Sequence, residues 1–376
     1  MFAERRIAAE PPPSGVPTES RILSGADALR EAMALCMERD ERVFVMGQGV
    51  TDPFRVFGTT RGLLETYGPG RVVETPLAEN GMTGVAIGAA ISGQRPVLIH
   101  MRADFALLTM EQLVNNAAKT AWLTQGKLQV PLVVRMFIGR GWGQGPAHTQ
   151  SLESLFAMIP GLTVVMPATP ADAKGQLIAA IESPNPVIFL EHRWLHFTRG
   201  LVPAGHYSTP LDGPKVVRPG CDLTIAATSH MVVEALRAAD ALATAGISAE
   251  VVDVAVLRPF NPEPILMSVR RTGRLMVADT GWNTLGMGAE IIAIVTEQAF
   301  GALTGPPVRV GLPDLPAPSS PALAGDYYPT ALTLFDRAGA LLGLPPSRLA
   351  VSRNRLAALI AEIPVDVPEA GITSPF

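Results

Sequence analysis

Thr75-Pro76-Leu77-Ala78-Glu79-Asn80-Gly81 joins a short apolar strand, Val72–Glu74, to a helix of small residues over 81–93. Strand, turn and small-residue helix make up the first part of a βαβ unit, from which parallel α/β sheets are built. The run also sets one carboxylate between two apolar elements. Burying a carboxylate is costly unless a partner takes up its proton or its charge. Glu79 is therefore the first candidate for chemistry. The plainer reading, a carboxylate that caps the helix N-terminus, stands beside it.

The alternation continues on both sides. Apolar residues recur at helical spacing over 26–39, and Val43-Phe44-Val45-Met46 is a buried strand ending at Gly47. A helix over 63–67 precedes the opening run. After it come a strand over 97–100, a helix over 110–124 and a strand over 132–136. That last strand runs into Gly139-Arg140-Gly141-Trp142-Gly143-Gln144-Gly145. Buried strands over 162–166 and 187–190 flank a helix over 170–181. A smaller alternation follows a stretch rich in Gly and Pro. The expected fold class is α/β, with two doubly wound domains. The division is a flexible arm over 1–20, a first domain over 21–199 and a linker over 200–219. A second domain over 220–345 follows, then a C-terminal extension over 346–376 with a helix over 353–363.

Composition narrows the function classes. The chain has 376 residues, 48% of them hydrophobic and 17% charged, enough for two or three domains with substantial cores. The net charge is −4, and no basic block points to nucleic acid or an anionic membrane. The apolar stretches are too short to span a bilayer. Cys36 and Cys221 lie far apart in apolar segments, as reduced core thiols of a cytoplasmic protein would. The mean hydropathy of +0.26 fits a large subunit interface, or simply richness in Ala and Val.

In open α/β sheets ligands bind beyond the carboxyl ends of the strands. Three features fall at such ends: Glu79, Asp104-Phe105, and the Gly-rich run that leads to His148. Each has a plain alternative, namely a cap, a core ring and a turn. Together they suggest one pocket.

These segments resemble a known family. The run from Arg71 to Gly81 is similar to the activating-glutamate segment of the beta subunit of thiamine-diphosphate-dependent 2-oxo acid dehydrogenases, the pyruvate and branched-chain type. Asp104-Phe105 with Glu111-Gln112 and 115–119 resembles that family's next block. Ala147-His148-Thr149-Gln150-Ser151-Leu152-Glu153 resembles its His-Ser-Gln loop, and Gly281-Trp282, 286–291 and Tyr327-Tyr328-Pro329 fit further on. The blocks occur in order over about 22–345. The resemblance implies a transketolase-like pyrimidine-binding domain followed by a transketolase C-terminal-type domain.

It also implies roles. Glu79 would face the aminopyrimidine of thiamine diphosphate. There a carboxyl bonded to the ring nitrogen favours the imino tautomer, which takes the thiazolium proton. Burial favours the protonated form of such a carboxyl. Phe105 would pack on the pyrimidine face. His148 would move protons or stabilise charge near the reacting carbon. The family's magnesium site is a Gly-Asp-Gly motif with a later Asn, and Gly-Asp-Gly occurs nowhere in this chain. The diphosphate and Mg²⁺ half would then come from an alpha-type subunit in an alpha2-beta2 assembly.

One departure bears on the site. The usual acidic pair after the first strand is Gln48-Gly49 here, and Gln48 takes its place among the cofactor-binding positions. The expected function is oxidative decarboxylation of a 2-oxo acid with acyl transfer to a lipoyl acyltransferase. Two alternatives stand beside it. One is a subunit of a two-component transketolase-like or acyloin-forming enzyme, and the other is a non-catalytic scaffold.

Overall fold

The structure is a computed structural model that describes residues 19–367. Most of the expected N-terminal arm and the end of the C-terminal extension lie outside the described residues. The described chain forms two compact units, residues 19–138 with 155–211, and residues 139–154 with 212–367.

The first unit opens with β1 (Ser20–Ser24), α1 (Gly25–Arg39), β2 (Val43–Gly47), α2 (Leu63–Tyr67) and β3 (Val72–Glu74). Next come α3 (Glu79–Ile91), β4 (Arg95–His100), α4 (Ala103–Ala106), a π-helix (Glu111–Ala117) and α5 (Ala118–Leu123). The unit continues with β5 (Val133–Ile138), α6 (Glu153–Ala157), β6 (Thr163–Val165), α7 (Pro170–Glu182), β7 (Val187–His192) and β8 (Arg199–Pro203). Its strands run parallel in the order β3-β2-β4-β5-β7-β6, with Val45 opposite both Val72 and Val97. β1 and β8 form a separate antiparallel ribbon.

Helix starts follow side-chain caps. Ser24 accepts from Asp27 N to open α1, and Thr169 accepts from Asp172 N to open α7, with Pro170 at the first turn. Each cap contributes about 1 kcal/mol. The core packs Val97, Ile99, Val133, Phe137, Val187 and Phe189 of the sheet against Leu29, Met33, Leu177 and Ile178 of α1 and α7. Full burial of such a side chain contributes roughly 1.5–3 kcal/mol. An ion pair sits inside this core. Arg135 holds Glu191 through two bonds, at 2.6 and 2.8 Å, and His196 Nε2 lies 2.9 Å from Glu191 Oε2.

The second unit contains β9 (Lys215–Arg218), β10 (Leu223–Ala227), α8 (His230–Thr244), β11 (Ala249–Asp253), β12 (Val256–Arg258), α9 (Glu263–Thr272), β13 (Leu275–Trp282) and α10 (Met287–Ala299). It ends with β14 (Val308–Leu312), α11 (Pro321–Tyr327), α12 (Ala331–Leu341) and α13 (Pro346–Ala361). The order in its sheet is β14-β13-β10-β11-β9, parallel except for β9.

Several local expectations change. The stretch read as a linker holds β8 and β9. Each is hydrogen-bonded along one edge and little buried, so it carries no apolar alternation. The helix over 110–124 is a π-helix followed by an α-helix. The C-terminal helix starts at Pro346, not 353, because proline in the first turn lacks only an N–H that would go unbonded anyway. Cys36 is a core thiol, pushed by burial up to about 12, but Cys221 is exposed. No helix among the described residues is long and apolar enough to cross a membrane.

Candidate active site

The chain leaves β2 for β3 on one side and returns to β4 on the other. Such a reversal opens a crevice beyond the strands' carboxyl ends. Gln48 follows β2, Glu79 opens α3 after β3, and Phe105 lies in α4 after β4. Three of the four sequence-predicted site residues thus come from three neighbouring strand ends. Glu79 is only 9% exposed, although Ala78 and Asn80 on either side of it are exposed. Gln48 Nε2 donates to Glu79 Oε1 at 3.2 Å. Phe105 is half-buried.

Residues not singled out from sequence support this arrangement. Thr83 Oγ1 donates to the Glu79 carbonyl at 2.7 Å and lies 3.3 Å from His100 Nε2. The hydroxyl has one proton to give, so His100 Nε2–H is the donor in the second contact. Burial pulls His100 down to about 4 against the attraction of the Glu79 carboxylate, which leaves the imidazole neutral at pH 7. Glu74, at the end of β3, accepts from Gly49 N at 2.6 Å, Thr51 N at 2.9 Å and Thr51 Oγ1 at 2.8 Å. The Gln48-Gly49 step therefore does have an acid beside it, on the neighbouring strand and already bound to loop donors. A glutamate at a strand end was the one sequence signal for it.

His148, the fourth predicted residue, lies half-buried on the loop 139–154 of the second unit. Its amide donates to Gly145 O at 3.4 Å, and Thr149 Oγ1 donates to the same oxygen at 2.7 Å. The loop's glycines answer to close approach as well as to turning. A Cβ at Gly143 would sit 2.9 Å from Ser319 O, and one at Gly145 only 2.2 Å from Ser319 Oγ. Both residues also have positive φ. The Arg140 guanidinium lies 4.6 Å from the centre of the Tyr328 ring.

The loop ends at Glu153, which is fully buried beside Asp279 of β13. Asp279 accepts from Thr228 Oγ1 at 2.9 Å and from Gly288 N at 3.2 Å. Burial pushes Glu153 well above the carboxylate range, and the Asp279 charge adds to the push. Burial raises Asp279 too. A buried carboxyl beside a like charge is favoured in its protonated form. In the sequence Glu153 closes the run 147–153, and nothing local signals its distant neighbour Asp279.

Two family profiles cover most of the chain. "Transketolase, pyrimidine binding domain" matches residues 23–196, and "Transketolase, C-terminal domain" matches residues 214–333. The acetoin:2,6-dichlorophenolindophenol oxidoreductase subunit beta of Bacillus subtilis is 37% identical over 338 residues, covering 87% of this chain and 99% of that protein. The mitochondrial pyruvate dehydrogenase E1 component subunit beta of Pisum sativum is 40% identical over 305 residues, 80% of this chain and 85% of that protein. A solved structure described as a split gene transketolase, inactive beta4 tetramer, shares the fold. It has a TM-score of 0.68 at 23% identity and covers 86% of this chain and 99% of its own. Near-complete alignment to such subunits, through both transketolase-type domains, makes this chain a member of the beta-subunit family of thiamine-diphosphate-dependent 2-oxo acid dehydrogenases.

Proposed function

We propose that the chain is the beta subunit of a cytoplasmic 2-oxo acid dehydrogenase. It provides the pyrimidine half of a thiamine diphosphate site, and an alpha-type subunit brings the diphosphate and Mg²⁺ half. The observation that carries this is the buried Glu79 carboxyl, held by Gln48 beyond the carboxyl ends of the sheet. An acid there, with an aromatic ring from the next strand end, suits an aminopyrimidine. The carboxyl meets a ring nitrogen and the phenyl covers a ring face. Bound thiamine diphosphate supplies a nucleophilic carbon and an electron sink for decarboxylation.

In this reading Glu79 meets the ring nitrogen through the carboxyl oxygen that faces the ring. Gln48 fixes the carboxyl's orientation through its amide N–H. His148 moves a proton or stabilises charge at the substrate. The net reaction releases C1 of the 2-oxo acid as carbon dioxide. It passes the acyl group to one sulfur of a lipoyl disulfide, whose other sulfur takes up a proton. Exposed apolar side chains support a partner. Leu77 is 84% exposed, Leu108 64%, Trp122 86% and Leu123 72%, all on segments that follow β3 and β4.

The test is turnover of the chain co-expressed with an alpha-type subunit. Pyruvate and acetoin serve as trial substrates, and reduction of 2,6-dichlorophenolindophenol is the readout. Glu79→Gln is expected to lower turnover about 10²–10⁴-fold with assembly intact. Full turnover of that variant would overturn the proposal. A second reading, a transketolase-like or acyloin-forming enzyme, is favoured by the neutral Gln48 where the family has an acid. Acyl transfer to a lipoylated acyltransferase domain separates the two, because the second reading expects none.

A further inference from the structure

The histidine loop is held by a residue far outside it. After α13 ends at Ala361, the chain turns back and brings Asp366 onto the Gly-rich run. Asp366 O accepts from Trp142 N at 2.7 Å, and Asp366 Oδ2 accepts from Gly143 N at 2.8 Å. One residue thus takes up two successive amides. Trp142 and Gly143 both have positive φ, at 55° and 65°. A left-handed conformation costs a tryptophan about 1–3 kcal/mol and persists only where the surroundings impose it. The Asp366 bonds are such an imposition.

The rest of this end of the loop is also fixed by groups late in the chain. Ser319 fills the space that side chains at 143 and 145 would need. Tyr328 lies under Arg140. The half-buried Arg140 charge is attracted to Glu234, Asp366 and Tyr328, so it partly offsets the burial of the Asp366 carboxylate, which is 5% exposed. In the sequence Asp366 follows Ile363-Pro364-Val365, where Pro364 restricts the backbone that leads to it.

We propose that Asp366 is a positioning residue for His148. It binds the 142–143 amides, and the loop in turn presents the imidazole five residues beyond Gly143. The inference rests on the reading of His148 as a group that meets the substrate. The C-terminal extension, on this account, is part of the catalytic apparatus.

The experiment uses the full chain, alone for hydrogen exchange and with its alpha-type partner for turnover. Asp366→Ala is expected to speed amide exchange about tenfold or more in peptides covering 139–154, while the rest of the chain is unchanged. It is expected to lower kcat about fivefold with little change in KM, and Asp366→Asn, which keeps an acceptor for Gly143, is expected to recover most of that loss. In a His148→Gln background the Asp366→Ala effect on kcat is expected to shrink to less than about 1.5-fold, since the two act as one unit. Unchanged exchange in Asp366→Ala would overturn the proposal by itself. A kcat loss that persists in the His148→Gln background would overturn it in favour of a merely structural tail. Full turnover of His148→Gln alone would overturn it together with the reading of His148.

Discussion

The two sheets each have a crevice where strand order reverses, and the chain treats them in opposite ways. In the first sheet the crevice holds one buried carboxyl, Glu79, with a neutral partner in Gln48 and a neutral His100 behind it. In the second sheet the equivalent place, where β10 and β13 end, is filled by the chain itself through Glu153 against Asp279. A single acid with a neutral hydrogen-bond partner keeps a face available for a ligand. Two buried acids side by side favour protonation over ionisation. The difference is one of charge: the first crevice holds a lone carboxyl, and the second sets two beside each other.

The largest expected effect is on activity. Glu79→Gln is expected to reduce turnover of the assembled enzyme about 10²–10⁴-fold, whereas Glu153→Gln keeps turnover within about tenfold. Steady-state kinetics on both variants would break the comparison if the losses were equal.

The next effect is on stability at low pH. His100 is held well below its unfolded value, so the folded state binds fewer protons there. Its stabilisation is complete above about pH 6.5 and falls away as pH drops toward about 4, by about 3 kcal/mol at the limit. Urea unfolding of His100→Gln across this range is expected to show a flatter acid limb than the parent chain. An unchanged limb would show that other groups control it.

The second crevice has the opposite sign. Glu153 is raised, so the folded state binds more protons than the unfolded chain. Its contribution to stability is greatest below the ordinary carboxylate range and is lost as pH rises toward the raised value. Glu153→Gln needs no proton there. Its stability relative to the parent is therefore expected to rise with pH, by up to about 1.4 kcal/mol per pH unit. Thermal unfolding of the two proteins between pH 5 and pH 8, a range of about 3 units, measures it. A constant gap would mean that Glu153 is ionised throughout.

The smallest effect is Thr83→Val. It removes the hydroxyl between His100 and the Glu79 carbonyl and is expected to cost about 1–2 kcal/mol. A drop in kcat about twofold to tenfold would show that the His100–Thr83 chain also sets the position of Glu79, while loss of stability alone would confine it to the fold.

Much of this was legible in the sequence because parallel strands buried on both faces read as short apolar runs. β3 and α2 fall within the residues read from sequence, and α3 starts two residues before its expected position. The glycine and carboxylate punctuation also marked the strand ends where Glu79 and Phe105 lie. Other features were hidden for physical reasons. β8 and β9 bury too little to carry a pattern. Pro346 reads as a breaker but opens α13. His100 looked like the last residue of a strand, and its role depends on a hydroxyl 17 residues away.

The chain by itself determined the α/β alternation, the single acid after β3, the histidine in a glycine-rich loop and the family to which they belong. These are local patterns, set by periodicity, turn chemistry and short blocks of residues. Tertiary structure alone decided the partners. Gln48 reaches Glu79 across 31 residues, and Asp366 reaches Gly143 across 223. Which acid stands alone, which is paired and which ties down a loop depends on contacts between distant segments. No local propensity encodes them, since they exist only once the sheets have set the spacing between their strand ends.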